Sequence, residues 1–166
     1  MRKRLFYFLL ASVIFFQTQL ALAQAGRTAK EQTTAQPQFI NPSGLSKPNG
    51  YTHVVIVQPE RLVYVSGQVA WNSSGEVQGK DDLRAQVTQV MENLKTALAA
   101  AGASLQDVIK LNYYVVNLNP DKVSVIREVR KKYLSVEHPP ASTLVGVTAL
   151  AREDFMIEIE AVAVLK

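Results

Sequence analysis

The C-terminal segment alternates residue by residue, and this pattern restricts the fold more than any other part of the chain. One set of positions is apolar, and the other set begins with two glutamates. The first set is Ile157, Ile159, Ala161 and Ala163, and the second is Glu158, Glu160, Val162 and Val164. Because successive side chains of a strand point to opposite faces, the segment predicts a strand that is partly covered on both faces. One face would pack on helices and the other on a partner subunit, although a buried strand of a monomer has a similar pattern.

The first 23 residues have the composition of a secretory signal peptide. Three basic residues at positions 2–4 precede an apolar run over 5–16, and Ala-Leu-Ala at 21–23 is a cleavage site. This run is shorter than a membrane-spanning helix of about 20 residues, so a cleaved signal is favoured over a retained anchor. The chain has no cysteine, which excludes a lipoprotein. We therefore expect an exported protein, periplasmic or secreted, without a stable membrane anchor.

The charge of the chain is close to neutral once the predicted signal is removed. The sequence contains 18 Lys and Arg against 14 Asp and Glu, and removing the three basic residues at 2–4 leaves 15. No basic cluster with interleaved aromatic residues remains. Nucleic-acid binding therefore has little electrostatic support, and the same holds for a ribonuclease activity.

The mature chain divides into a tail and one domain. Residues 24–38 are polar and lack hydrophobic periodicity, which predicts a flexible tail, and residues 39–166 form one domain of ordinary size. Two β-rich segments, 51–57 and 61–66, flank a Pro-containing break and predict a hairpin. The second segment continues over 67–71, and further strands are predicted over 108–116, 143–148 and 157–164. With the continuation counted as a third strand, the element order is β-β-β-α-β-α-β-β.

Two amphipathic helices are predicted between these strands. The first covers residues 81–101 and ends at Gly102, where a positive φ angle is expected. Its apolar stripe consists of Leu83, Val87, Val90, Leu94 and Leu98. The second begins after Asn119, a good N-cap residue, with Pro120 in the first helical position. Helices on one face of a mixed sheet define an α+β fold.

Several motifs occur together in a fixed order along the domain. They are Tyr51, Val65-Ser66-Gly67-Gln68, the helix ending in Ala100-Ala101-Gly102, the strand from Ile109 to Leu118, Pro140-Ala141, and Ile157-Glu158-Ile159-Glu160-Ala161. In this order and spacing the chain resembles the Rid family (reactive intermediate deaminase, also called YjgF or L-PSP) over residues 39–166.

The resemblance implies a fold and an activity. The fold is a chorismate-mutase-like α+β fold with a mixed six-stranded sheet and two helices on one face. Three copies would form a homotrimeric barrel with a ligand cleft between each pair of neighbouring subunits. In the best-known branch, these clefts hydrolyse 2-imino or 2-enamino acids to 2-keto acids and ammonia, without a metal or organic cofactor. An arginine pairs with the substrate carboxylate, and a glutamate of the last strand places the attacking water.

The chain departs from this pattern at the arginine. Ser142 stands at the position where the family carries this arginine, and the connection from there to the last strand is one residue longer than in the family. A guanidinium offers two parallel charged hydrogen bonds to a carboxylate, whereas a serine hydroxyl is a single neutral donor. The loss predicts weaker binding of a 2-imino acid by on the order of 100-fold or more. Arg152 is a possible replacement for the charge, although residues 152–154 have the composition of a solvated loop.

The resemblance also assigns the other candidate site residues. Glu158 matches the glutamate that places the water, and it is the candidate catalytic residue. The candidate ligand-binding residues are Tyr51, Ser66, Gly67, Asn112, Ser142 and Thr143. Trp71 lies further along the strand of Gly67, at the trimer junction or over the cleft mouth. The two histidines, His53 and His138, lack the carboxylate pattern of a metal site, and no residue pattern matches a Ser-His-Asp triad.

Three functions remain open at this point. The first is a homotrimer that binds a small metabolite with little or no 2-imino acid deaminase activity. The second is a hydrolase of imines, enamines or related small compounds, in which Glu158 places the water and neutral groups at Ser142 and Thr143 hold the ligand. The third is an interaction scaffold without a ligand. We therefore expect a small metabolite and other copies of the chain as partners, and no nucleic acid.

Overall fold

The structure, a computed structural model, describes residues 36–58 and 61–165. The predicted signal peptide, residues 1–23, and residues 24–35 of the predicted tail lie outside this part. The elements are β1 (Gln38–Ile40), β2 (Val54–Ile56), β3 (Arg61–Gln68), α1 (Leu83–Ala100), a 3₁₀ helix (Leu105–Asp107), β4 (Val108–Val116), α2 (Pro120–Arg130), β5 (Ala141–Val147) and β6 (Ile157–Leu165). The predicted α+β class, with a mixed sheet and two helices, is confirmed.

A four-stranded mixed sheet forms the centre of the domain. Its strand order is β3-β6-β4-β5. The last strand in sequence, β6, therefore lies between β3 and β4 and is antiparallel to both. The edge strand β5 runs parallel to β4. Hydrogen bonds to both neighbours thus satisfy the backbone N–H and C=O groups of β6, which is required because the strand is largely buried.

The distribution of the strands differs from the prediction in two respects. The six strands form a four-stranded and a separate two-stranded sheet instead of one six-stranded sheet. The hairpin predicted for residues 51–57 and 61–66 is wrong, because β2 pairs with β1 and β3 pairs with β6. The distant partner β6 gives Val65 a place in the core opposite Ala161, which a local hairpin with the half-exposed β2 does not offer.

Both predicted helices are confirmed, with the predicted N-cap Asn119 and the predicted Gly102 at the end of α1, while α1 begins at Leu83 after an N-cap, Asp82, that was not predicted. The Asp82 side chain accepts a hydrogen bond from the Ala85 amide at the start of α1, and Asn119 accepts one from the Lys122 amide at the start of α2. Pro120 is the first residue of α2, where its missing N–H leaves no bond unmade. Gly102 follows α1 with a φ angle of 80°, a conformation that glycine adopts without strain.

The alternation of the sheet separates a covered face from an open face. On the covered face, Leu111 and Tyr113 of β4 and Ile157 and Ile159 of β6 are fully buried in one core with the apolar stripes of α1 and α2. On the opposite face, Glu158, Glu160 and Val162 of β6 are only partly buried, whereas Val164 near the end of the strand is buried. The predicted alternation of this strand is therefore confirmed, and its two glutamates lie on the open face.

Gln86 connects α1 to the segment that leads into β6. Its side chain is fully buried. Its Nε2 donates to the carbonyl oxygens of Gly79 and Asp154, at 3.2 and 2.7 Å, and its Oε1 accepts from the Met156 amide at 2.8 Å. Three backbone groups that are cut off from water thus depend on one side chain, which positions the first residues of β6.

Within residues 36–58 and 61–165, no helix has the length and apolar composition needed to cross a membrane.

We expect Gln86→Leu to lower the free energy of unfolding by about 2–4 kcal/mol. Leucine has a similar size but leaves the buried backbone groups without partners. Urea denaturation measures this change. The control is Gln106→Leu, because Gln106 is exposed and makes one hydrogen bond, to the Tyr133 carbonyl at 3.2 Å. Equal and small effects of the two substitutions would contradict the role of Gln86.

Candidate functional site

A small polar cavity lies on the open face of the four-stranded sheet. Its volume is about 250 Å³. The residues around it come from three adjacent strands: Tyr64, Val65 and Ser66 of β3, Lys110 and Asn112 of β4, and Glu160, Ala161 and Val162 of β6. Two predicted site residues, Ser66 and Asn112, therefore lie at one cavity. Val65 and Ala161 are buried core residues, so the polar part of the wall consists of the side chains that alternate with them.

Glu160 is held in this wall by two neutral donors. Asn112 Nδ2 and the Tyr114 hydroxyl donate to the same oxygen, Oε2, at 3.1 and 3.2 Å. Partial burial raises the pKa of Tyr114 above its ordinary value, and the hydrogen bond to Glu160 raises it further. Tyr114 therefore stays protonated at neutral pH and remains a donor. The other oxygen of Glu160 makes no hydrogen bond to the described residues.

Glu158 lies two residues before Glu160 on the same face, against the backbone of Gly67. A Cβ atom at position 67 would overlap the Glu158 carboxylate, so this approach requires glycine. The pairing of β3 with β6 shifts register between Val65 and Gln68, which is the irregularity that brings Gly67 beneath the carboxylate. The structure thus brings together Ser66, Gly67 and Glu158, three of the predicted site residues.

The register of β5 separates Ser142 from Thr143. Thr143 is opposite Asn112 of β4, and Ser142 is opposite Leu111, which is fully buried on the covered face. Leu144, two residues further on, packs against the core. By strand alternation, Thr143 therefore joins the open face with Asn112, and Ser142 belongs to the covered face with Leu144. Both positions are neutral, but only Thr143 is beside the polar cavity.

Lys110 brings a positive charge to this cavity. Its Nζ donates to Thr143 Oγ1 at 2.7 Å, and the side chain is partly buried. Sequence reasoning missed Lys110, because a lysine in a strand is ordinarily a solvated residue. The sequence did indicate that Lys110 shares a face with the predicted site residue Asn112, since residues two apart on a strand share a face.

Tyr51 lies away from the polar cavity, in a second cavity of about 660 Å³. This cavity is between the loop of residues 41–51 and the C-terminal part of α2, and its wall includes Arg127, Arg130 and Lys131. Arg130 is 8% exposed; its guanidinium donates to the Gly50 carbonyl and lies 5.9 Å from the centre of the Tyr113 ring. Within one chain, Tyr51 therefore does not join the other predicted site residues.

The remaining sequence candidates also lie apart from the polar cavity. Arg152 makes a two-point ion pair with Asp154, with nitrogen–oxygen distances of 3.0 and 2.8 Å, and its guanidinium lies 5.6 Å from the centre of the Phe155 ring. The pair raises the pKa of Arg152 and lowers that of Asp154. Trp71 packs edge-on against Phe155, with ring centres 5.3 Å apart. Arg152 is thus engaged in its own loop.

The histidines lie in two separate contacts. The His53 ring lies 2.8 Å from the Ser46 carbonyl and edge-on to Tyr51, and the His138 ring stacks on Phe39. In the part of the chain that the structure describes, no three His, Cys, Asp or Glu side chains are grouped as metal ligands would be.

Comparison with known proteins places this geometry in a family. The family model for endoribonuclease L-PSP matches residues 44–165. A 2-iminobutanoate/2-iminopropanoate deaminase of Dermatophagoides farinae is 32% identical over 110 residues, which are 66% of this chain and 83% of that protein.

Solved structures support the same assignment. YyfB of Yersinia pestis, a Rid family protein of unknown function, aligns with a TM-score of 0.73 and 41% identity, over 78% of this chain and 98% of its own. TdcF of E. coli, solved with bound serine, aligns with a TM-score of 0.55 and 28% identity, over 67% of this chain and 88% of its own. Because the family model spans nearly all of the described domain, the chain belongs to the Rid (L-PSP) family.

Proposed function

We propose that this chain is an exported Rid homotrimer that binds a small metabolite in clefts between neighbouring protomers, with weak or no 2-imino acid deaminase activity. The observation that carries this proposal is the polar cavity on the open face, whose wall includes the predicted site residues Ser66 and Asn112 and has Lys110 as its cation. Ser142 stands at the position of the arginine in the sequence motif. A lysine gives a carboxylate a point charge and not a planar two-point contact, so the productive orientation is less well fixed.

The relatives favour a small, amino-acid-like ligand. One is named as a deaminase of 2-iminobutanoate and 2-iminopropanoate, and another was solved with serine. The polar cavity, at about 250 Å³, is below the range of about 300–1,000 Å³ that holds drug-sized ligands. Its size therefore agrees with a metabolite of a few heavy atoms.

The composition of the open face supports assembly with further copies. Leu62, Tyr64 and Val145 on this face are 41%, 75% and 41% exposed. Large exposed apolar residues on one face of a sheet are typical of an interface. In a trimer, Tyr51 of a neighbouring protomer would complete the cleft, since Tyr51 of the same chain lies at the second cavity. Export is proposed from residues 1–23 alone.

We expect the wild-type protein to hydrolyse 2-aminoacrylate at least about 100-fold more slowly than an arginine-bearing relative. Thr143→Arg should raise kcat/KM by about tenfold or more, because residue 143 lies on the open face beside Lys110 and a guanidinium binds the carboxylate at two points. Ammonia release in a coupled assay measures both rates.

Ser142→Arg is the matched variant, because the register directs residue 142 to the covered face. It should not raise the rate. A wild-type rate equal to that of the relative would contradict the proposed function, whereas a gain confined to Ser142→Arg would contradict only the placement of the arginine position.

A hydrolase that acts on imines, enamines or related compounds through Glu158 is the second candidate. The close approach of the Glu158 carboxylate to Gly67 favours it, because a carboxylate that lies against the backbone of the Ser66 strand can orient a water molecule there. Such an enzyme would prefer substrates without a carboxylate, since the arginine clamp is missing.

If this hydrolase exists, Glu158→Gln should reduce its kcat at least about 100-fold with little change in melting temperature, because glutamine cannot take up a proton. Gly67→Ala should also lower kcat, since the new methyl group displaces the carboxylate. Glu153→Gln, in the exposed loop before β6, is the control. Unchanged turnover in the Glu158 variant would remove this mechanism.

Native mass spectrometry of the protein released from the periplasm of an expressing bacterium should give three copies of a chain that begins at Gln24. Tyr64→Glu should produce monomers, because it places a charge on the apolar part of the open face. Val136→Glu is the control: Val136 is 77% exposed but lies outside the sheet. A monomeric wild-type protein would contradict the trimer, and an intact residue 1–23 segment would contradict cleavage and export.

A further inference from the structure

Lys110 is a partly buried cation with one neutral hydrogen-bond partner. Its Nζ donates to Thr143 Oγ1 at 2.7 Å. An ammonium group has three donors, so this contact leaves donors available to a ligand. Among the described residues, no carboxylate oxygen lies within 4.0 Å of a Lys110 nitrogen as an ion-pair partner. Lys110 therefore makes no direct ion pair within residues 36–58 and 61–165.

The negative side chain at the same cavity, Glu160, accepts its hydrogen bonds from residues other than Lys110. Glu160 Oε2 accepts hydrogen bonds from Asn112 and from Tyr114, both of which are uncharged. The cavity wall thus contains a cation, Lys110, and an anion, Glu160, on adjacent strands. A small ligand with one carboxylate is attracted to the first and repelled by the second, which orients it within the cavity.

From these contacts we propose that Lys110 is the group that binds the carboxylate of a small 2-oxo or 2-imino acid, with the Thr143 hydroxyl beside it. The proposal rests on the function proposed above and names the charge that selects the ligand class. Lys110 lines the polar cavity, and Thr143 lies next to it, opposite Asn112 and within hydrogen-bond distance of the Lys110 ammonium.

Lysine binding differs from arginine binding in strength and geometry. A hydrogen bond from an ammonium to a carboxylate is charge-assisted but lacks the second parallel bond of a guanidinium. The protein should therefore keep a preference for anionic ligands while it orients them less firmly than an arginine-bearing relative. Slow deamination and selective binding of acids are then compatible.

The test is to titrate ¹⁵N-labelled mature protein with pyruvate and with pyruvamide, which has the same shape without the charge. In the wild-type protein, the Kd for pyruvate should be about 10- to 100-fold lower than that for pyruvamide, since one charged hydrogen bond is gained. Lys110→Met should reduce this ratio to about one, and Lys110→Arg should preserve it. Lys95→Met is the control, because Lys95 is exposed on α1.

The outcomes distinguish this inference from the function on which it rests. An unchanged ratio in Lys110→Met, or shifts confined to the cavity of Arg127 and Lys131, would overturn the role of Lys110. If the wild-type protein binds both compounds equally, the role of Lys110 is overturned, whereas the proposed binding of a small metabolite is supported. If neither compound binds, both proposals are overturned. Melting temperatures and native masses of the variants exclude a general loss of structure as the cause.

Discussion

The position of β6 between two antiparallel neighbours determines most of the structure. With both edges paired, each of its side chains must point either to the helices or to the open face, and a shift of one residue would exchange the two sets. Ile157 and Ile159 are fully buried, so the register is strongly specified. The same register places Glu158 and Glu160 on the open face. Core packing and site geometry thus depend on one alternating segment.

The open face combines features that a purely structural surface does not need. Gly67 admits the carboxylate of Glu158, two neutral donors hold Glu160, and the Lys110 ammonium, which has no ion-pair partner in the described part of the chain, lies beside Thr143. Unpaired charge on a partly buried surface is unfavourable unless a ligand or a partner compensates for it. A small acid at Lys110 and apolar contacts from further copies would together account for the charges and for the exposed apolar residues of this face.

Local features of the structure could be predicted from the sequence, whereas long-range pairings could not. The helices, the cap at Asn119, and the alternation of β6 depend on residues near one another in the chain. The hairpin prediction failed because the partner of β3 is almost a hundred residues away. Strand alternation puts Ser142 and Thr143 on different faces, but which of them is on the open face could not be predicted, since this depends on the parallel register with β4.

A crystal structure of the mature protein with pyruvate tests the central claim most directly, because it locates the carboxylate relative to the open face. We expect one carboxylate oxygen within about 3 Å of Lys110 Nζ, on the same face as Thr143 and Glu160. Pyruvate bound instead by Arg127 and Lys131, with nothing at Lys110, would contradict the account.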